Sequence, residues 1–325
     1  MSRRFKIAVL SDIHYAGLTK RAAGDDFETR VIQPPLLRFV LRLYRKHIWL
    51  RYPLRQNSQL DRFLAEVGEV EYAIASGDYA CNVAAVGLSD DAVLESAQEC
   101  LGRLRGQFGG KLRANFGDHE LGKLRLMGTR GGLRLASWHR GCEALGLQPF
   151  WRLDLGQYVL FNCVSTLVAL PLFEADLLPA EKPAWEQLRA QHLVEIRAAF
   201  AALRPDQRVL FFCHDPTALP FLWRDEQVRG KLSAIERTII GHLHSPLYLR
   251  LSQWLSGMPV LHCFGHSVRR MSAALNEARC WRDFRLLLCP SLAGIDLLND
   301  GGYYTVELDA AAQIPAAFQF HALPR

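Results

Sequence analysis

Five short polar clusters follow apolar stretches of the chain in a fixed order. They are Asp12-Ile-His14, Gly77-Asp78, Gly117-Asp118-His119-Glu120, His214, and Gly241-His242-Leu-His244. Their carboxylate oxygens and imidazole nitrogens are ligands that suit Mn, Fe or Zn better than Ca. They are numerous enough to hold two ions side by side, an arrangement that clamps phosphoryl oxygens and lowers the pKa of a bound water. The clusters therefore predict metal-dependent phosphoester chemistry.

The elements that must position these clusters are short buried strands. Strand patterns precede the five clusters at Phe5–Leu10, Tyr72–Ser76, Leu112–Phe116, Arg208–Cys213 and Thr238–Ile240. Further strands are predicted at Tyr158–Cys163, Pro259–Cys263, Arg285–Cys289 and Tyr303–Leu308, and helices at about 35–50, 58–67, 89–105, 132–145 and 184–203. This alternation predicts an α/β fold. Because the carboxyl ends of strands face one crevice in such folds, we expect the clusters to converge.

The bulk composition bounds the remaining possibilities. The chain has 325 residues, of which half are hydrophobic and 22% charged, so it can bury a large core. Its eight cysteines form no C-x-x-C pair, which predicts reduced thiols and a cytoplasmic location. No stretch has the pattern of a secretory signal or a membrane span. We expect a single domain over residues 1–325, with insertions at about 18–60 and about 121–150.

As a set, the clusters resemble the motifs of the calcineurin-like metallophosphoesterase superfamily. These motifs are D-x-H, G-D, G-N-H-E/D, H and G-H-x-H, and the resemblance runs in order over about residues 6–244. It implies a β-sandwich flanked by helices on both faces (α/β/β/α). It also implies a phosphohydrolase with two divalent metal ions, Mn before Fe or Zn, that hydrolyses a phosphoester or pyrophosphate with a metal-bridging hydroxide.

The resemblance also assigns roles to individual residues, motif by motif. The implied metal ligands form two sets joined by one bridging carboxylate: Asp12, His14 and His244 for the first ion, Asp118, His214 and His242 for the second, and Asp78 between them. His119 is the implied catalytic residue, which contacts the phosphoryl group and either protonates the leaving oxygen or stabilises charge there.

Two positions depart from the superfamily patterns. Asp118 stands where the family usually has Asn, so we expect tighter metal binding and a weaker attraction for phosphate. The stretch after Gly77-Asp78 lacks the Asp-Arg pair of protein Ser/Thr phosphatases. This absence argues against a phosphoprotein phosphatase.

Two basic stretches flank the first motifs. Residues 31–60 contain six basic and no acidic residues, and residues 36–50 form an amphipathic helix pattern with a basic face. Such a helix could lie on anionic lipid, bind nucleic acid, or simply cover the core with a solvated face. The second stretch, Lys123–Arg140, directly follows His119 and could neutralise a pyrophosphate. The candidate substrate-binding residues are Arg38, Arg42, Arg45, Arg125, Arg130 and Arg134.

The layout favours one substrate hypothesis and leaves two alternatives. One branch of the superfamily hydrolyses UDP-2,3-diacylglucosamine to UMP and a lipid phosphate in lipid A biosynthesis, and its basic, apolar insertions are similar in kind to those here. That hypothesis places the chain peripherally on the inner face of a membrane. The first alternative is a soluble nucleotide or nucleic-acid phosphodiesterase. The second is a non-catalytic scaffold, which would be expected to have damaged ligands. No protein partner can be inferred.

Overall fold

The computed structural model describes residues 3–24, 34–49, 53–81, 85–122, 132–262, 265–295 and 297–323. In this part of the chain, ten strands form two five-stranded sheets with the orders β10-β9-β1-β2-β3 and β4-β5-β6-β7-β8. The strands are β1 (Arg4–Leu10), β2 (Tyr72–Ala75), β3 (Leu112–Ala114), β4 (Arg152–Leu155), β5 (Tyr158–Cys163), β6 (Arg208–Cys213), β7 (Ile235–Ile240), β8 (Leu286–Leu288), β9 (Gly302–Asp309) and β10 (Ala317–Ala322).

Each sheet is parallel except at one margin. Strands β1–β3 run parallel, and so do β5–β8, whereas β9, β10 and β4 pair antiparallel at the margins. One buried cluster includes Ile7 and Val9 of the first sheet together with Leu160 and Phe212 of the second, so the two sheets pack face to face. Two more clusters lie under the helices on the outer faces. The predicted α/β/β/α sandwich is confirmed.

The five predicted helices are present, with bounds that differ by a few residues. The helices described are Leu18–Ala23, Pro35–Tyr44, Asn57–Glu66, Asp91–Phe108, Asp118–Leu121, Leu135–Glu143, Ser165–Val168, Lys182–Ala201, Leu219–Arg224, Glu226–Arg229, Pro246–Trp254 and Gly265–Glu277. The helix Asp91–Phe108 begins where the Asp90 side chain accepts a hydrogen bond from the Val93 N–H. The stretch predicted as a helix over 35–50 is α-helical to Tyr44 and continues as a π-turn over Arg45–Trp49. None of the described helices is both long and apolar enough to cross a membrane.

The strand predicted at Pro259–Cys263 is wrong. Residues 259–262 pair with no strand and have no regular secondary structure, and Cys263 lies outside the described residues. Pro259 has no N–H to donate, and the Leu261 N–H is taken by the Ser272 side chain at 2.9 Å. The segment therefore connects the helices Pro246–Trp254 and Gly265–Glu277, neither of which was predicted from the sequence.

Candidate metal centre

The five clusters meet where the carboxyl ends of β1, β2, β3, β6 and β7 approach one another. Ligand atoms that lie within 4.8 Å of one another form two groups: Asp12, His14, Asp78 and His244, and Asp78, Asp118, His214 and His242. Asp78 belongs to both groups. The convergence expected of strand ends is therefore present, and the seven residues divide into the two sets that the motif resemblance implies.

The first group is closely packed around Asp12. The Nε2 atom of His244 lies 3.2 Å from Asp12 Oδ1, and His14 Nε2 lies 3.9 Å from the same oxygen. The two Nε2 atoms of His14 and His244 are 3.3 Å apart. The Ser11 hydroxyl donates to Asp12 Oδ2 at 2.5 Å and holds the carboxylate from behind. Three ligand atoms thus face one small volume.

The second group centres on Asp118. Its Oδ1 atom lies 3.1 Å from His214 Nε2 and 2.8 Å from His242 Nδ1. The Nε2 atom of His214 is also 3.2 Å from Asp78 Oδ2. The Nδ1–H of His214 donates to the Ser76 carbonyl at 2.7 Å, so Nε2 is the ring nitrogen that is placed to bind a metal. The His242 N–H donates to both oxygens of Asp12, so the two groups are tied together.

Glycines before the ligands allow this close approach. A Cβ at Gly117 would lie 2.2 Å from Asp78 Oδ1, and a Cβ at Gly241 would lie 2.0 Å from Ser11 Oγ. Both distances are far below a van der Waals contact. The glycine of each motif is therefore required by packing of the neighbouring cluster.

Five of the seven residues have left-handed backbone conformations. The φ angles are 51° for Asp12, 52° for His14, 58° for Asp78, 59° for His242 and 59° for His244. Each such residue costs about 1–2 kcal/mol when it is not glycine. Strain of this kind concentrates at functional sites, where the surrounding structure enforces it. At His242 and His244 it forms successive three-residue turns, with hydrogen bonds from Leu243 N–H to the Gly241 carbonyl and from Ser245 N–H to the Leu243 carbonyl, both 2.6 Å.

The electrostatics of the site favour cations. Burial alone would raise the pKa of Asp12, but the imidazoles of His244, His214 and His14 hold it well below its ordinary value. Burial, together with the charges of His119 and His244, lowers the pKa of His14 to about 3, so this imidazole is a neutral ligand. Burial would also lower the pKa of His214, yet Asp78 and Asp12 raise it well above the usual range. The carboxylates therefore draw positive charge into the site.

One buried oxygen shows that two cations fit here. Asp78 Oδ2 is buried and accepts no hydrogen bond of good geometry. Its nearest imidazole nitrogens are His214 Nε2 at 3.2 Å and His119 Nε2 at 3.8 Å, and a buried carboxylate oxygen needs such positive neighbours or a cation to offset its burial. It belongs to the residue shared by both ligand groups. Oxygen and imidazole ligands of this number suit a pair of divalent ions, with Asp78 between them.

Comparison with solved structures supports the same fold. A dimetal phosphatase from Danio rerio aligns over 98% of this chain and 96% of its own, with a TM-score of 0.51 and 12% sequence identity. The chain has a calcineurin-like metallophosphoesterase fold. A purple acid phosphatase from yellow lupin (Lupinus luteus) seeds aligns over 99% of this chain and 52% of its own, with a TM-score of 0.43 and 8% identity. No protein-family model and no curated protein sequence matches the chain.

Glu120 lies beside the metal centre, and no role was predicted for it from the sequence. It is fully buried, and its carboxylate accepts hydrogen bonds from three backbone N–H groups: those of Gly117 at 2.8 Å, Asp78 at 3.0 Å and Tyr79 at 2.9 Å. These bonds hold together the turn that follows β2 and the turn that follows β3. Its position after His119 in the motif was the available signal. Hydrogen bonds from the backbone N–H groups at the end of another strand leave no pattern in the sequence. The role of Glu120 could therefore not be predicted.

His119 lies at the open side of the site. Its side chain is 17% exposed, whereas those of Asp78 and His214 are buried. Its Nδ1 atom lies 3.2 Å from the Ala80 carbonyl, which makes Nδ1 the protonated nitrogen, and Nε2 lies 3.8 Å from Asp78 Oδ2. Burial lowers the pKa of His119, but Asp78, Asp118 and Glu120 outweigh it and raise the pKa overall. His119 is therefore placed to hold a proton over the two ligand groups.

Asp215, which directly follows His214, is close to a different histidine. Its side chain caps the following turn by accepting from the Thr217 N–H at 2.9 Å. Its Oδ2 atom lies 3.9 Å from His242 Nε2. Asp215 therefore caps the turn after β6 and also contacts a candidate ligand imidazole.

The candidate substrate-binding arginines are less well located. Arg125 and Arg130 lie outside the described residues, as does the side chain of Arg45. Arg134 precedes the helix Leu135–Glu143 and donates to the Leu133 carbonyl at 2.8 Å. Arg38 is half-buried and Arg42 is exposed on the helix Pro35–Tyr44. Substrate binding by these six residues stays a prediction.

Proposed function

We propose that the chain is a dinuclear metal phosphohydrolase that cleaves a phosphoester or pyrophosphate bond. The observation that carries this proposal is the buried carboxylate of Asp78, which is shared by two groups of potential metal ligands. When bound, two divalent ions would polarise the phosphoryl oxygens and activate a water. The ligand sets are intact, which disfavours the alternative of a non-catalytic scaffold.

The chain's own residues have distinct parts in this reaction. Asp12, His14 and His244 would hold the first ion, Asp118, His214 and His242 would hold the second, and Asp78 would serve both. His119 is held by Ala80 with its Nε2 toward the ligand groups. There it protonates the leaving oxygen, or stabilises the charge that develops on it.

We further propose a lipid-linked pyrophosphate as the substrate, with UDP-2,3-diacylglucosamine as the specific candidate and Mn as the metal. Hydrolysis would release UMP and a lipid phosphate. The support is the helix Pro35–Tyr44, which carries Arg38 and Arg42 and has no fully buried residue. That helix would sit on the inner face of a membrane, and the arginines would contact the anionic substrate. The alternative substrate class is a soluble nucleotide or nucleic acid.

The test is a Mn-supplemented activity panel with diacylated UDP-sugars, simple monoesters, diesters and cyclic nucleotides. Asp78→Ala is the matched negative variant, in which we expect hydrolysis to be abolished and metal content to fall. An active and fully metallated Asp78→Ala protein would refute the bridging role. For substrate class, a steep loss of binding with added salt supports nucleic acid, whereas activation by detergent or liposomes supports lipid.

A further inference from the structure

The helix Pro35–Tyr44 has two apolar faces. Leu37, Leu41 and Tyr44 are half-buried and turn toward the protein, whereas a second apolar set points to solvent. The exposed fractions in this second set are 76% for Leu36, 58% for Phe39, 50% for Val40 and 42% for Leu43. An ordinary covering helix buries its apolar residues and leaves the charged ones outside. This helix therefore has more apolar surface than its packing uses.

A second helix with the same property is Pro246–Trp254. Its Leu249 packs against a core cluster. On the opposite face Leu247, Leu251 and Trp254 recur at helical spacing and are exposed by 40%, 44% and 80%. A contiguous exposed apolar face marks an interaction surface, while single exposed residues do not. Trp with one side toward water is typical of a membrane interface.

The two helices contact each other although about 200 residues separate them in the sequence. The hydroxyls of Tyr44 and Tyr248 are hydrogen-bonded at 3.0 Å. Just beyond the first helix, the Ile48 carbonyl accepts from the N–H of Leu297, a residue that is 66% exposed. The apolar residues of both helices thus belong to neighbouring parts of one surface.

This surface is joined directly to the metal centre. The second helix begins at Pro246, two residues after His244, and the Ser245 hydroxyl caps it by accepting from the Leu247 N–H at 3.2 Å. The His244 carbonyl accepts from the Ser291 N–H at 3.0 Å. A partner bound to Leu247 and Leu251 would therefore lie within a few residues of a proposed metal ligand.

The charge around both helices selects the partner. Residues 31–60 contain no acidic residue, and neither do residues 237–276, which contain four arginines. Among the basic residues Arg42, Lys46 and Arg250 are exposed. Apolar faces whose own segments of the chain carry only positive charges match a membrane surface that contains anionic lipids.

We propose that the helices Pro35–Tyr44 and Pro246–Trp254 together form a docking surface for an anionic phospholipid bilayer. The inference rests on the proposed function, since a lipid-linked substrate has to be reached at such a bilayer. It extends that function by adding the second helix, which holds His244 at its start. Docking then brings the metal centre to the membrane surface.

The test is co-sedimentation of the full, Mn-loaded chain with vesicles of phosphatidylcholine, with and without phosphatidylglycerol. We expect binding only to the anionic vesicles. Phe39→Glu in the first helix and Leu251→Glu in the second should each weaken binding about tenfold or more. The matched control is Val194→Glu, a residue 60% exposed on the helix Lys182–Ala201, which should bind like the wild type.

Fluorescence gives an independent readout. The emission of Trp254 is obtained by subtracting the spectrum of Trp254→Phe from that of the wild type. This emission should shift to the blue when anionic vesicles are added. The proposal is overturned if Leu251→Glu leaves vesicle binding unchanged and the Trp254 emission of the wild type does not shift when anionic vesicles are added. It is also overturned if light scattering shows a dimer that Leu251→Glu dissociates while no protein binds vesicles, because a second copy then covers the surface.

The outcomes separate this inference from the proposed function. Turnover of a water-soluble chromogenic diester should be the same in Phe39→Glu, Leu251→Glu and the wild type. Vesicle binding that depends on Leu251, without cleavage of any lipid-linked pyrophosphate, would refute the proposed substrate and support docking. Cleavage of that substrate in detergent, with vesicle binding unaffected by both variants, would support the substrate and refute docking.

Discussion

Glu120 accepts a hydrogen bond from the backbone N–H of Asp78 at 3.0 Å, and both side chains are buried. The same Oε2 atom accepts from the Gly117 N–H at 2.8 Å. Burial, followed by the charge of Asp78, raises the pKa of Glu120 to about 7, although the Tyr79 and Asp78 N–H groups oppose this. Glu120 therefore fixes the turn that aims the Asp78 carboxylate between the two ligand groups.

Glu120→Ala should weaken metal binding and activity through Asp78. We expect a loss of about 10–100-fold in metal affinity or turnover, as is usual when a group that orients a ligand is removed. Metal content by mass spectrometry and kcat at saturating Mn measure the two effects. Asp91→Ala, an exposed acidic residue at the start of the helix Asp91–Phe108, is the control. Full activity and normal metal content in Glu120→Ala would disprove the orienting role.

His119→Ala should separate metal binding from catalysis. His119 is in neither metal-ligand group, so the variant should bind the same amount of metal as the wild type. A positioned acid contributes about 10²–10⁴-fold to the rate, and we expect a loss in kcat of that order. The loss should be smaller for a substrate whose leaving group needs no protonation, such as a nitrophenolate. Equal losses on good and poor leaving groups would rule out proton donation.

The convergence of the candidate ligand residues could be predicted from sequence because their types and their place after apolar strands are both visible there. The backbone at His14 and His244 could not, since a left-handed conformation at a non-glycine residue is imposed by tertiary packing. The same limit applies to the helix Pro35–Tyr44. A helical wheel separates Arg42 from Leu41, but only the packed structure shows which apolar face, that of Leu37 or that of Leu36, meets the protein.

Asp118→Asn tests the extra negative charge in the second ligand group. An amide oxygen can occupy the place of Asp118 Oδ1, which lies 2.8 Å from His242 Nδ1. Removal of one charge next to a cation should weaken metal binding about tenfold, which corresponds to roughly 1.4 kcal/mol. The KM for an anionic substrate should fall, because the site becomes more positive. Chelator competition and steady-state kinetics measure these effects, and tighter metal binding in the variant would contradict the charge argument.

Lys20 predicts a pH dependence of stability that is independent of turnover. Its side chain is 3% exposed, and burial lowers its pKa to about 8, against the raising effect of Cys81, Asp90, Glu120 and Glu95. Below pH 8 the folded chain holds a buried charge that costs about 3 kcal/mol, given 1.36 kcal/mol per pKa unit. Because the unfolded chain binds more protons between the folded and unfolded pKa values, stability from this residue rises with pH from about 8 toward 10.5.

Lys20→Met should therefore stabilise the protein at pH 7 and lose this advantage as the pH rises. Denaturant unfolding of the metal-free chain at a series of pH values measures the difference from the wild type. The difference in the free energy of unfolding between the two proteins removes the contribution of the other groups that titrate between pH 8 and 10.5. Arg21→Met changes a basic residue on the same helix whose side chain is 42% exposed, and it should show no such trend. A wild-type minus Lys20→Met difference that is constant from pH 7 to pH 10 would show that the lysine ammonium is stabilised where it lies.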